Sequence, residues 1–182
     1  MRLIGIGLVA AALLFPTTNL ALARDDEKVI DKKEADKEPE TDKEFLVQAI
    51  ACEVFNVKMA DRAMKNATSE DVRSLAAKIK EDHTKIRDSF QEQAKKWKVA
   101  VVEGTSKRHR EEADRLNKLK GHDYDVAYTQ FVVDGHEKGL ALYKKWSKDA
   151  TDSGLKEEAK AAASTYENHK EHTKKVCDKL KN

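Results

Sequence analysis

Residues 71–97, DVRSLAAKIKEDHTKIRDSFQEQAKKW, carry their apolar side chains in two interleaved rows, each with a seven-residue step. Val72, Ile79 and Ile86 form one row; Ala76, His83, Phe90 and Trp97 form the other. Seven residues are close to two turns of α-helix, so both rows share one face of a helix built to pack against other helices. The opposite face is charged. One member of the second row, His83, is polar where the pattern expects an apolar side chain.

The same period recurs on both sides. Thr41 and Glu44 have the spacing of a capping box. From there a first helix is predicted to about Ala67, with Leu46, Ile50, Glu53, Val57, Ala60 and Met64 on one face. Thr68 or Ser69 caps the second helix, and Glu70 and Asp71 in its first turn suit the helix dipole. Asp123 is the expected cap of a third long helix reaching about Asp149, whose inner face includes Val126, Val133, His136, Leu140 and Tyr143. Thr151-Asp152-Ser153-Gly154 is a turn. A fourth helix follows with rows Leu155, Ala162, His169, Val176 and Ala159, Tyr166, Thr173, Leu180. No segment alternates apolar and polar residues as a strand does. The fold class is all-α, a four-helix bundle.

Between the second and third long helices the rhythm breaks. From Gly104-Thr105 a basic, polar piece has only Ala113, Leu116 and Leu119 as an apolar side, which predicts a short helix inside a long connection ending at Gly121. Such a connection can cross the bundle end to end and leave the third long helix parallel to the second. Its cluster Lys107, Arg108, His109 and Arg110 lies beside Glu111 and Glu112 and reads as a solvated face. Ala67-Thr68-Ser69 before the second helix is echoed by Ala150-Thr151-Asp152 before the fourth, which suggests two related hairpins.

The chain opens Met1-Arg2, runs apolar from Leu3 to Phe15 and reaches Ala21-Leu22-Ala23. This is the pattern of a secretory signal peptide over residues 1–23. The apolar run is shorter than the roughly 20 residues a membrane span needs. The mature chain is expected in the periplasm or outside the cell. Residues 24–40, RDDEKVIDKKEADKEPE, have almost nothing to bury and are expected as a disordered charged linker. Residues 41–182 form one domain. Without Arg2 the chain keeps 34 of its 35 Lys and Arg against 33 Asp and Glu. Such a balance provides no long-range attraction for nucleic acid, and nothing identifies another partner.

Glu53, His83, His136 and His169 each interrupt the stripe of a different helix near its midpoint. Packed helices of similar length bring their midpoints to one level, so one carboxylate and three imidazoles are expected to meet in the core. A lone buried carboxylate would cost several kcal/mol, and the histidines are its natural partners. Two states satisfy the group. The four can ligate a transition metal, for which Zn, Fe, Mn or Cu all suit the donors. Alternatively they hydrogen-bond to one another and to a trapped water, without metal. A di-iron carboxylate site needs Glu from two helices and Glu-x-x-His from two more. Here Lys80 stands three before His83 and Tyr166 three before His169, which favours a mononuclear site. Asp82 or Glu137 are candidates for a supporting ligand or hydrogen-bond acceptor.

The remaining histidines rank lower. His109 and His122 are expected to face water, and His172 to lie at the surface edge. Phe90, Trp97, Phe131 and Trp146 are expected in the core. Cys52 lies near mid-helix and Cys177 near a helix end, about 12–15 Å apart along the axis at 1.5 Å per residue. A disulfide needs Cα atoms within about 7 Å, so two unpaired thiols are expected. There is no Ser/His/Asp or Cys/His nucleophile pattern and no phosphate-binding Gly-rich loop.

Asp42-Lys43-Glu44-Phe45-Leu46 leading to Glu53, then Glu81-Asp82-His83-Thr84, resembles the first half of the bacterial domain of unknown function 4142. Gly121-His122-Asp123-Tyr124-Asp125, then Tyr128, His136 and the helix around His169, resembles its second half. The resemblance covers about residues 41–180. It implies a ferritin-like bundle with Glu53, His83, His136 and His169 on the family's characteristic positions, and it implies no activity. The family's usual Leu-Pro in the last helix stands here as Ala163-Ser164, which should straighten that helix. Members are often labelled outer membrane proteins; this sequence has neither barrel strands nor a lipidation cysteine after the signal, which leaves only looser envelope association open. The expected protein is an exported ferritin-like bundle of no established activity, whose Glu53 and three histidines either hold one transition metal or pair with one another without metal. A ferritin-type oxidase and a metal-free, chaperone-like envelope stress protein are the alternatives.

Overall fold

The computed structural model describes residues 38–101 and 106–181. The expected signal peptide and residues 24–37 of the expected linker lie outside them. The helices are α1 (Asp42–Asn66), α2 (Glu70–Lys96), α3 (Lys107–Asn117), α4 (Gly121–Asp149) and α5 (Ser153–Lys181). Among the described residues there is no strand. The all-α reading holds: four long helices, with short α3 in the connection between α2 and α4.

Local chemistry sets the ends. In the capping box, Glu44 N–H donates to Thr41 Oγ1 and Thr41 N–H to Glu44 Oε2, both at 3.2 Å. Ser69, not Thr68, caps α2, and Ser106 caps α3. α2 closes in a Schellman turn: Val99 N–H reaches the Ala94 carbonyl at 2.9 Å and Lys98 N–H the Lys95 carbonyl at 3.1 Å. Lys98 takes the left-handed position at φ 54°, which glycine would occupy at less cost. The start of α4 corrects the sequence reading. Its cap is Lys120, which makes no side-chain capping hydrogen bond, and Asp123 lies inside the first turn.

Hairpins α1–α2 and α4–α5 pack with α2 against α5. One half of the core joins Phe45 and Leu46 of α1, Phe90 of α2, Tyr143 and Trp146 of α4, and Leu155 of α5. The other half joins the opposite ends of the same helices. α4 therefore runs parallel to α2, as a single end-to-end crossover requires. Buried Asp125, in α4, accepts from Thr68 N–H at 3.0 Å, Thr68 Oγ1 at 2.7 Å and Ser69 N–H at 2.8 Å. Asp42, in α1, accepts from Thr151 N–H at 3.0 Å, Thr151 Oγ1 at 2.6 Å and Asp152 N–H at 2.9 Å. The first helix of each hairpin thus holds the turn of the other.

Two inner faces are rotated from the expected stripes. Met64 is exposed, while Phe55 and Met59 are buried. On α4, Tyr128 and Val132 are buried and Val126 and Val133 only half-buried. Phe55 and Tyr128 take inner positions because their aromatic side chains remove more apolar area from water.

Candidate metal centre

The four interrupting residues meet at mid-bundle, with Glu53 and His83 fully buried, His136 1% exposed and His169 4% exposed. His83 Nδ1 lies 2.5 Å from Glu53 Oε2. His136 Nδ1 lies 2.9 Å from the Val132 carbonyl one turn back, and His169 Nε2 lies 2.9 Å from Asp82 Oδ2. Carbonyl and carboxylate oxygens are acceptors, which places each of these nitrogens as its ring's donor. The opposite nitrogens face one another: His83 Nε2 is 3.1 Å from His136 Nε2 and 3.3 Å from His169 Nδ1.

Three lone pairs are therefore turned on one point. Between neutral rings these contacts repel; a cation among them, whether a metal ion or an added proton, reverses the sign. The three nitrogens lie within 4.8 Å of one another. A tetrahedral ion with Zn–N bonds of about 2.0–2.1 Å sets its nitrogens about 3.3–3.4 Å apart, and the two separations from His83 Nε2, 3.1 and 3.3 Å, match that span. Burial, with His83 and His169 beside it, holds His136 well below the ordinary imidazole range. Burial and His83 lower His169 also, against the opposing pull of Asp82. Both rings are thereby kept neutral, the form that ligates.

Glu53 is not beside the three nitrogens. It stands behind His83, as the expectation of four converging ligands did not foresee. Its other oxygen, Oε1, accepts from Tyr143 at 2.5 Å and Tyr166 at 2.7 Å, and Tyr166 in turn accepts from Asn56 Nδ2 at 2.9 Å. Burial, then the Glu53 charge, push both phenols well above their usual range, so they remain donors. Asp82 supports His169 as an acceptor, while Glu137 is exposed. With both carboxylates engaged behind histidines, the donor set does not fit a carboxylate-bridged di-iron centre.

Tyr143 and Tyr166 were missed in the sequence because tyrosine reads as apolar in a helical stripe. The signal was there: a buried phenol needs a hydrogen-bond partner, and Glu53 sits at the same level. A cleft of about 850 Å³ opens between α1 and α4 beneath the crossover, with Tyr143 and Tyr166 in its lining. The Tyr166 ring centre is 4.9 Å from that of His83 and 4.7 Å from that of His136, so this phenol separates cleft from centre. His109 does not face water as expected; it stacks on Phe55 at 3.9 Å in the cleft wall. His122 and His172 are exposed, Phe90 and Trp146 buried, and Trp97 and Phe131 half-buried. Cys52 and Cys177 are free thiols. Burial and Glu53 push the Cys52 thiol up to about 12, leaving it unreactive.

The domain of unknown function DUF4142 matches residues 29–176. The chain belongs to this family. Among solved structures, a secreted protein of DUF305 from Streptomyces coelicolor is similar over 74% of this chain and 93% of its own, at 17% identity and a TM-score of 0.62. CopM in its Cu(II)-bound form is similar over 76% of this chain and 97% of its own, at 14% identity and a TM-score of 0.67. At these identities the likeness is one of fold. No curated protein matches the chain. No helix among the described residues is long and apolar enough to cross a membrane.

Proposed function

We propose that this chain is an exported bundle protein that binds one divalent transition-metal ion, copper or zinc, on His83 Nε2, His136 Nε2 and His169 Nδ1. The convergence of three unprotonated nitrogens, each ring held from behind by an acceptor, carries the reading. Imidazole donors suit copper, zinc and iron, the absence of a ligating carboxylate disfavours manganese, and Cu(II) heads the affinity order. The Cu(II)-bound state of CopM, which shares the fold, supports the choice. Export rests on the pattern of residues 1–23 and agrees with the secreted neighbour. Glu53 and Asp82 act as supporting acceptors that orient two of the rings, as carboxylates behind metal-bound histidines do. Three protein ligands leave a position for water or an exogenous donor.

Metal analysis of protein purified without chelator or affinity tag, before and after loading with Cu(II) or Zn(II), tests the proposal. One tightly held ion per chain is expected, with nitrogen coupling in the Cu(II) electron-spin spectrum. His83→Ala or His136→Ala should abolish it, and Glu53→Gln should weaken it about 10–100-fold. Wild-type protein that retains neither ion, or retains it unchanged in both alanine variants, would sink the reading.

A further inference from the structure

We propose that the cleft between α1 and α4 binds a small monocarboxylate with an aromatic body, its carboxylate on Arg108 and its rings over Gly135. This site does not depend on the metal-binding reading, because Tyr166 stands between the cleft and the three histidines.

The walls of the cleft are apolar. Val47 and Phe55 of α1 and Phe131 and Leu142 of α4 line a volume of about 850 Å³. Pockets for small organic ligands span about 300–1,000 Å³ and are lined in the same way. Phe55 and Phe131 meet edge to face, with ring centres 5.7 Å apart and planes at 89°. Two glycines of α4, Gly135 and Gly139, also line the cleft, one turn apart. Tyr166 fills the space over Gly139, whereas a Cβ at Gly135 would meet nothing within 4 Å. The helix backbone is therefore bare at Gly135, a floor on which a flat ring can lie beside the two phenylalanines.

The mouth is charged, and its balance leaves one cation over. Glu38 pairs with Lys145 at 3.1 Å and Glu112 with Arg115 at 2.6 Å. Glu44 accepts from the N–H groups of Glu40 and Thr41, and Asp134 accepts from Gln130 at 2.8 Å. These two carboxylates stand beside Lys43 and Lys138, one residue and one turn away along their helices. Arg108 remains, with no ion pair among the described residues. It lies in the first turn of α3, which holds no acidic side chain, so the positive end of that helix adds to its charge. The neighbouring His109 stacks on Phe55 with ring centres 3.9 Å apart, and its N–H donates to the Ser106 cap at 3.2 Å. That stack fixes the turn against the cleft. A surplus guanidinium over an apolar floor calls for one anionic group on an apolar body, and a carboxylate matches the guanidinium fork.

Three probes with the same aromatic body and different heads test this: naphthoate, naphthylmethanol and naphthylmethylammonium, titrated into the full chain by fluorescence and calorimetry. Naphthoate should bind once per chain and about tenfold or more tighter than the ammonium probe, with the alcohol between them. Arg108→Gln, at an exposed position, should weaken naphthoate about tenfold, the scale of a charge-assisted hydrogen bond, and change the alcohol by less than about twofold. Gly135→Leu, whose side chain enters the open space, should abolish binding of all three. The exposed Arg108 variant decides the matter even if Gly135→Leu does not fold. Equal affinity for the three heads, naphthoate binding unchanged in Arg108→Gln or retained in folded Gly135→Leu, or no naphthoate binding by the wild-type chain would each overturn the inference.

Discussion

At the scale of single residues, the centre depends on an absent side chain. A Cβ on Gly139 would stand 2.1 Å from Tyr166 Cε1 and 2.6 Å from Cδ1, and that ring is pinned by Asn56 and Glu53. At Gly135, one turn earlier, a Cβ meets nothing within 4 Å. Alanine gains about 1 kcal/mol over glycine inside a helix, whereas overpacking costs about 1–3 kcal/mol. Gly135→Ala should therefore stabilise the protein by up to about 1 kcal/mol, and Gly139→Ala should destabilise it by about 1–2 kcal/mol. Urea unfolding midpoints decide; effects of the same sign would refute the close fit of Tyr166. The positions of Glu53, His83, His136 and His169 were legible because each broke an apolar row. Glu53's place behind His83 was not, because side-chain rotamers, not helical spacing, decide which way a carboxylate turns.

Among elements, the two hairpins are joined by aspartates that local pattern does not reveal. Sequence reading chose Asp123 as a helix cap, yet Asp125 is the buried one, turned back to a loop 57 residues earlier. A contact of that span leaves no local signature. Hydrogen bonds to a charged group contribute about 1.5–3 kcal/mol where water cannot replace them. Asp125→Ala should cost about 3 kcal/mol, and Asp42→Ala, at a half-buried and wetter position, about 1 kcal/mol. Thermal melts showing the reverse order would contradict the burial argument. Burial pulls the Asp42 carboxyl upward, but hydrogen bonds from Thr151 and Asp152, with Lys156 nearby, outweigh it and hold the group below the usual range. A depressed carboxyl stabilises the fold above its unfolded value of about 3.9, and this contribution is lost as pH falls through the folded one. Asp42→Asn should accordingly flatten the fall of stability below about pH 4, and an unchanged acid limb would rule this clamp out as a contributor.

Over the whole molecule, the two hairpins match at a constant offset: 42 with 125, 68 with 151, 53 with 136 and 83 with 166, each pair 83 residues apart. The turn echo was visible because threonine recurs; the core equivalence was hidden because its chemistry differs. Where the first hairpin has Glu53 and His83, the second has His136 and Tyr166. A Glu and His in both halves would supply two carboxylates. Here the second carboxylate position holds an imidazole, the second imidazole position holds a phenol that turns to Glu53, and His169 stands where the first hairpin has Ile86. The outcome is one cluster of three nitrogens drawn from α2, α4 and α5, spanning both hairpins. An ion there joins the halves, and its binding stabilises only the folded chain. At one hundred times the dissociation constant this adds about 2.7 kcal/mol. At about 2–4 °C per kcal/mol for a domain of this size, Cu(II) or Zn(II) should raise the melting temperature of metal-free protein by roughly 5–10 °C. His136→Ala should abolish the rise, and Mg²⁺, which favours oxygen donors, should not produce it. Scanning calorimetry after chelator dialysis measures this directly: an equal rise in His136→Ala, or with Mg²⁺, would mean that the ion binds elsewhere and does not tie the hairpins together.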